Sequence, residues 1–321
     1  MARRQGNGNP DSSKSAVLKW IGVATAVISL VLGARQLITV AMDRAQRSRE
    51  SAEFVALARQ QAARNEFVEA WRSLDQAEDR SRTAASESAR LDIGFRWLEE
   101  GRPGPDQPFT RITDAVTPVL DRALLDQQHP RRADILAHIG WATFLRGRTT
   151  GTGDPEPMYK QALAIDPHNV YANVMYAHWL MWQGGTLEAA RPYFDAALAT
   201  GKERPLVRTF QLAAIRNRNG SDADAEFIRV VDSMRRQKET LDARAARDAD
   251  AVYIRRYGAR RQPVDEAAVG LPAAELLATY LWLTRMPGLS KDSPDVDDSV
   301  VTTLNTLVQQ DRSSAGPSPA R

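Results

Sequence analysis

Small and apolar residues recur every three to four positions through most of this chain, the interval at which side chains share one face of an α-helix. From Ser51 to Ala84 they fall at Leu57-Ala58 and then at Ala70, Leu74 and Ala77, which predicts a pair of helices. The same pairing returns further on. Ile139-Gly140 is followed by Tyr159 and Ala162, and Tyr176-Ala177 by Ala189, Tyr193 and Ala196, so Tyr159-x-x-Ala162 and Tyr193-x-x-Ala196 stand one repeat apart. Pro167 closes the first of these pairs and Gly184-Gly185 marks the turn inside the second. A degenerate pair precedes them, with Ile93-Gly94 and Trp97 in one helix and Leu120 and Ala123 in the other. A weak fifth covers Pro205 to Gln237 through Phe210, Phe227 and Val230. Two turns are enlarged: Gly101 to Pro108, marked by three prolines and two glycines, and Thr149 to Pro157.

Beyond this array, three more helices are expected, Glu239 to Tyr257, Pro272 to Arg285 and Val296 to Val308. Residues 239–310 therefore read as a helical region, one member of which covers the apolar face that a last repeat exposes. Residues 1–15 and 311–321 are polar or rich in Ser, Pro, Gly and Ala. With too little apolar surface to offset the entropy of ordering, both read as disordered tails.

The amphipathic period disappears between Ala16 and Ala34, where Lys19 is the only charge. As a helix this run measures about 28 Å, close to the thickness of a bilayer core. Three readings compete: an uncleaved membrane anchor, a cleaved leader ending at Thr39-Val40-Ala41, and a buried soluble helix. The missing period weighs against the last and Arg35 against the second, so residues 16–42 are expected to be an anchor and its helical extension. Lys19 can reach the headgroups and Trp20 suits the interface. Arg3, Arg4, Lys14 and Lys19 on one side balance Arg35, Arg44, Arg47 and Arg49 on the other. Charge therefore does not orient the span. A short basic tail resists translocation, which tips the expectation toward a single-pass membrane protein with its repeats outside the cytoplasm.

Over residues 51–237 the pattern resembles the tetratricopeptide repeat family: a 34-residue helix pair, small residues where the helices cross, an aromatic four residues after an Ala in the second helix, and a closing Pro. The consensus Trp is absent at Phe54, Arg90, Leu136 and Asn173. The resemblance implies an all-α, tetratricopeptide-like helical-hairpin solenoid. It also implies a concave face built from first-helix residues that do not enter the repeat interior. By register these are Phe95, Trp141, Phe144, Tyr171, His178, Met181 and Trp182. Such a lining is aromatic and apolar, so the implied partner is a protein or peptide with an apolar or amphipathic segment. A competing reading has the same aromatics pack between repeats, or has the helix over Val296 to Val308 fill the groove.

Composition narrows the chemistry. With 43% hydrophobic residues the 321-residue chain can bury a core, and without cysteine it has no disulfides, thiolate metal sites or cysteine nucleophiles. Only six of its 43 basic residues are lysines, and with abundant Ala this skew is typical of a GC-rich bacterial genome. A net charge of +3 gives no electrostatic case for nucleic acid. Among His129, His138, His168 and His178 no pair has the i, i+4 spacing of a helical metal site. Gly151-Thr152-Gly153 lacks the strand and Walker lysine of a phosphate loop, and Asp295, Asp297 and Asp298 lack the calcium-loop spacing.

No cofactor, metal or catalytic residue is therefore expected, and the leading expectation is a non-catalytic, membrane-anchored scaffold. Two alternatives stay open. Tyr253, Arg255, Arg256, Tyr257, Arg260 and Arg261 would make a lipid- or nucleic-acid-binding cluster, although Asp242, Asp248 and Asp250 precede them and offer ordinary ion pairing. An unrecognised active site would use Glu266 and Glu275.

Overall fold

A computed structural model describes the backbone of residues 11–102, 108–218, 220–259, 269–286, 289 and 298–314. It also describes the side chains from residue 35 onward within those ranges, apart from Ser221 and Ser314. Among the described residues there are thirteen helices and no strand, so the chain is all-α. The helices belong to two compact units, Met1–Gly104 and Pro105–Arg321.

The first unit holds α1 (Asp11–Ala63), α2 (Phe67–Arg80) and α3 (Ala84–Glu100). The end of α1 and all of α2 form a hairpin turned at Asn65, which adopts the left-handed conformation that asparagine tolerates. Ala58, Ala70, Leu74 and Ala77 are completely buried in it, as the periodicity demands, while Leu57 turns outward. Small residues let the backbones approach, and two polar links fix the register: Ser51 Oγ donates to Ser81 O (2.9 Å) and Ser73 Oγ to Gln61 Oε1 (2.8 Å). α3 starts in a reciprocal Thr83–Ser86 capping box and packs on both. Its buried Arg90 lies over the Trp71 ring (4.9 Å) and pairs with Asp75 and Glu78, each at 2.8 Å.

In the second unit α4 (Phe109–Leu124) packs on α5 (Arg132–Thr150), and three hairpins follow. They are α5 with α6 (Glu156–Ile165), α7 (Val170–Trp182) with α8 (Leu187–Ala199), and α9 (Arg204–Arg216) with α10 (Ser221–Arg236). Their first helices, α5, α7 and α9, touch in series, which makes the arrangement repeat-like. At the α5–α6 crossing a Cβ on Gly140 would lie 2.7 Å from the Tyr159 ring. The α7–α8 turn uses Gly184 at φ 84° and Gly185, whose Cβ would stand 2.6 Å from Leu180 O. Tyr159 of α6 then meets Tyr176 of the next hairpin with centroids 5.7 Å apart, and Tyr176 meets Tyr193 within that hairpin at 4.8 Å.

α11 (Ala243–Tyr257), α12 (Ala273–Leu283) and α13 (Asp298–Ser314) close the unit. α11 and α12 pack on the last hairpin of the array, and α13 buries Val300, Leu304 and Val308 against α11 and α12 and touches neither α5 nor α7. The expected degenerate pair is divided: Ile93, Gly94 and Trp97 lie on α3 of the first unit, and Leu120 and Ala123 on α4 of the second. Their periodicity identifies each helix but not its mate, because any small-apolar stripe fits several neighbours.

Among the described residues no helix is long and apolar enough to cross a membrane. The expected anchor, residues 16–34, lies outside the residues whose side chains are described; its backbone belongs to α1. Of the two expected disordered tails, residues 1–10 and 315–321 also lie outside the described residues, whereas 11–15 begin α1 and 311–314 end α13, so these parts are helical instead.

Candidate functional site

The seven side chains expected to line a groove fall into three classes. Phe95 belongs to the first unit, where it is buried on α3. On α5 and α7, Trp141, Phe144, His178 and Met181 are also buried, each 6% exposed or less. Only Tyr171, half-buried, and Trp182, 43% exposed, reach the surface of the second unit. The concave lining is therefore corrected: most of it is mortar between first helices, because aromatics at these positions are large enough to bridge neighbouring hairpins.

The mortar has a definite geometry. Trp141 lies 4.9 Å from Phe144, 5.3 Å from His178 and 4.8 Å from Phe210 of α9. Phe210 was expected only as a mark of the fifth repeat, and its ring and carbonyl complete this cluster. His178 Nδ1 faces Phe210 O at 3.2 Å. Burial lowers the imidazole pKa to about 4; the Phe210 carbonyl opposes the shift and the Arg148 charge adds to it. At neutral pH the ring is uncharged, and Nδ1–H is the donor to Phe210 O.

At the C-terminal end of α7 this buried floor opens. Trp182 stands edge-on to Phe144 (5.6 Å) and carries Arg148 over its ring at 4.7 Å, while the same guanidinium lies 5.4 Å from the Phe109 ring. Partial burial lowers the Arg148 pKa from its ordinary value. The group remains a cation held between two aromatic faces. Tyr171, about three turns away on α7, packs 4.8 Å from His138 and lines a separate open groove of about 890 Å³ with Asp134, Asp166, His168 and Lys202.

The other candidates resolve into structure. Tyr253, Arg256 and Tyr257 are buried, and Arg255 pairs with Asp224 at 2.5 Å, which raises its pKa. The tyrosine-arginine run is thus no surface patch over its described part; Arg260 and Arg261 lie outside the described residues. Glu275 pairs with Arg235, and Glu266 is not described. Gly151, at φ 72°, caps α5, so Gly151-Thr152-Gly153 ends a helix. Asp298 opens α13, whereas Asp295 and Asp297 lie outside the described residues. Among the described residues no three His, Asp or Glu side chains converge as a metal site.

A polar groove of about 860 Å³ was not anticipated. It runs between α8 and α10 over α9; in it Glu226 joins Arg191 to Arg229, and two of its arginines, Arg204 and Arg208, are joined by Glu239 of the segment after α10. Desolvation acts to raise the Glu239 pKa, but the hydrogen bonds and charges of Arg208 and Arg204 prevail and hold it low. These residues lie on three helices and the segment between α10 and α11, so only folding reveals the pairing.

No protein-family model, curated protein or solved structure matches this chain.

Proposed function

We propose that this chain is a non-catalytic, membrane-anchored scaffold of tetratricopeptide type, which docks a protein partner at the Trp182–Arg148 end of α7. The observation that carries the reading is a Trp ring, 43% exposed, held rigidly by Phe144 and Arg148 above a buried aromatic floor. Interface energy concentrates on such pre-ordered Trp and Arg side chains, because little conformational entropy is left to lose on binding. The chemistry suits an amphipathic segment that lays an apolar side chain on Trp182 and a carboxylate near Arg148. The apolar run from Ala16 to Ala34 supplies the anchor, and the short basic tail before it favours repeats outside the cytoplasm.

The decisive experiment places a photoreactive side chain at position 182 and, as a control, at Leu125, which is 78% exposed. In native membranes a discrete adduct is expected from position 182 and not from 125. Arg148→Ala should weaken that adduct while leaving the melting temperature unchanged. Identical adducts from both positions, or none from 182, would defeat the proposal. Trp141 is unsuitable for this purpose: it is 6% exposed, and its truncation would open a cavity costing about 3–5 kcal/mol.

A further inference from the structure

Helix α1 continues unbroken past Ala34, and from residue 35 to residue 49 every side chain is exposed. Four of these are large and apolar: Leu37 (72% exposed), Ile38 (60%), Val40 (59%) and Met42 (67%). At about 100° per residue, Arg35, Gln36, Thr39 and Asp43 share an arc of roughly 100°, and Leu37, Ile38, Val40, Ala41 and Met42 occupy roughly 200° opposite. The run is therefore one-sided, unlike the residues before it. Arg44, Arg47 and Arg49 follow within two turns, all exposed.

We infer that the Leu37–Met42 face of α1 lies on lipid, with the helix leaving the membrane at a slant and its Arg44, Arg47 and Arg49 among anionic headgroups. This rests on the anchor reading above. Two features select lipid as the occupant. The apolar face is continuous with the run from Ala16 to Ala34, which would already stand in the bilayer. Residues 16–42 together measure about 40 Å, longer than a core of about 30 Å, and tilting is how a helix accommodates such an excess. A tilted helix presents one side to lipid and the other to water, which matches the arc of Arg35, Gln36, Thr39 and Asp43. Basic residues just beyond the apolar face complement anionic headgroups.

The absence of cysteine in the chain makes the test direct. Single variants Leu37→Cys, Ile38→Cys, Val40→Cys and Met42→Cys are compared with Gln36→Cys, Thr39→Cys and Asp43→Cys. The full chain is reconstituted in vesicles of phosphatidylcholine and phosphatidylglycerol, and labelling by an impermeant maleimide is normalised to Gln46→Cys. The first group should label about tenfold more slowly than the second. The contrast should shrink when phosphatidylglycerol is omitted, and an unchanged contrast would overturn the part given to the arginines. Equal, fast labelling from position 36 onward would overturn the inference; slow labelling of Val27→Cys in the same vesicles would then show the anchor intact. Fast labelling at Val27→Cys as well would remove both. Slow labelling accompanied by cross-linking between chains at high lipid dilution would assign the face to a second copy instead.

Discussion

Tyr159 and Gly140 show how closely single side chains are held. The Tyr159 Oη is fully buried without a hydrogen-bond partner, and burial pushes its pKa well above 10. Tyr159→Phe should therefore be neutral or stabilise by up to about 1 kcal/mol, since it removes an unsatisfied polar atom. Gly140→Ala, whose Cβ would meet the same ring at 2.7 Å, should cost about 1–3 kcal/mol; urea melts measure both. His178 gives a pH signature. Its folded pKa of about 4 lies below the unfolded value of about 6.5, so the unfolded state binds the proton first. Stability is complete above pH 6.5 and is lost as pH falls toward 4, by roughly 3 kcal/mol at the lower limit. In His178→Gln that slope should vanish from stability measured across the window. Tyr159 and Gly140 were legible from spacing alone, because a small residue opposite an aromatic is a local requirement of crossing helices. The burial of Trp141 and His178 stood only as one of two readings, because Phe210, which decides it, lies 69 and 32 positions further along the chain.

Helices in the C-terminal region are joined by polar links as well as by apolar packing. Asp232 of α10 is fully buried, accepts from Thr279 Oγ1 of α12 at 2.8 Å, and pairs with Arg235 (3.0 Å) and Arg236 (2.9 Å). A second link runs from Tyr280 Oη of α12 to Asp250 of α11 at 3.0 Å. Asp232→Ala leaves the buried Thr279 hydroxyl without its acceptor, while Arg235 keeps Glu275 and Arg236 keeps solvent, so it should destabilise by about 1–3 kcal/mol. The loss should be local first: in hydrogen exchange, amides of α12 and α13 should open before those of α5 and α7. If all four helices lose protection together, the link does not set the order of opening. The helix expected from Glu239 starts instead at Ala243, where Asp242 caps α11 through the Arg244 and Ala245 amides. Which helix each carboxylate would reach was invisible, since an isolated Asp on a helix face reads as solvated charge.

The whole chain divides between Gly104 and Pro105, inside the stretch whose spacing suggested one uninterrupted array. Two separately compact units should absorb heat in two transitions, and residues 105–321 expressed alone should keep theirs within about 3 °C. A single transition that vanishes in the fragment would show that the units fold as one. The periodicity of small and apolar residues established the helices, their order, the glycine and proline turns and the apolar character of residues 16–34, because each is a matter of neighbours within about one or two turns. Tertiary structure decided which helices are mates, that α11 and α12 close the array, and that of seven candidate groove residues only Trp182 and Tyr171 reach the surface. Burial depends on what another part of the chain lays over a face, and a one-dimensional pattern records the face without its cover.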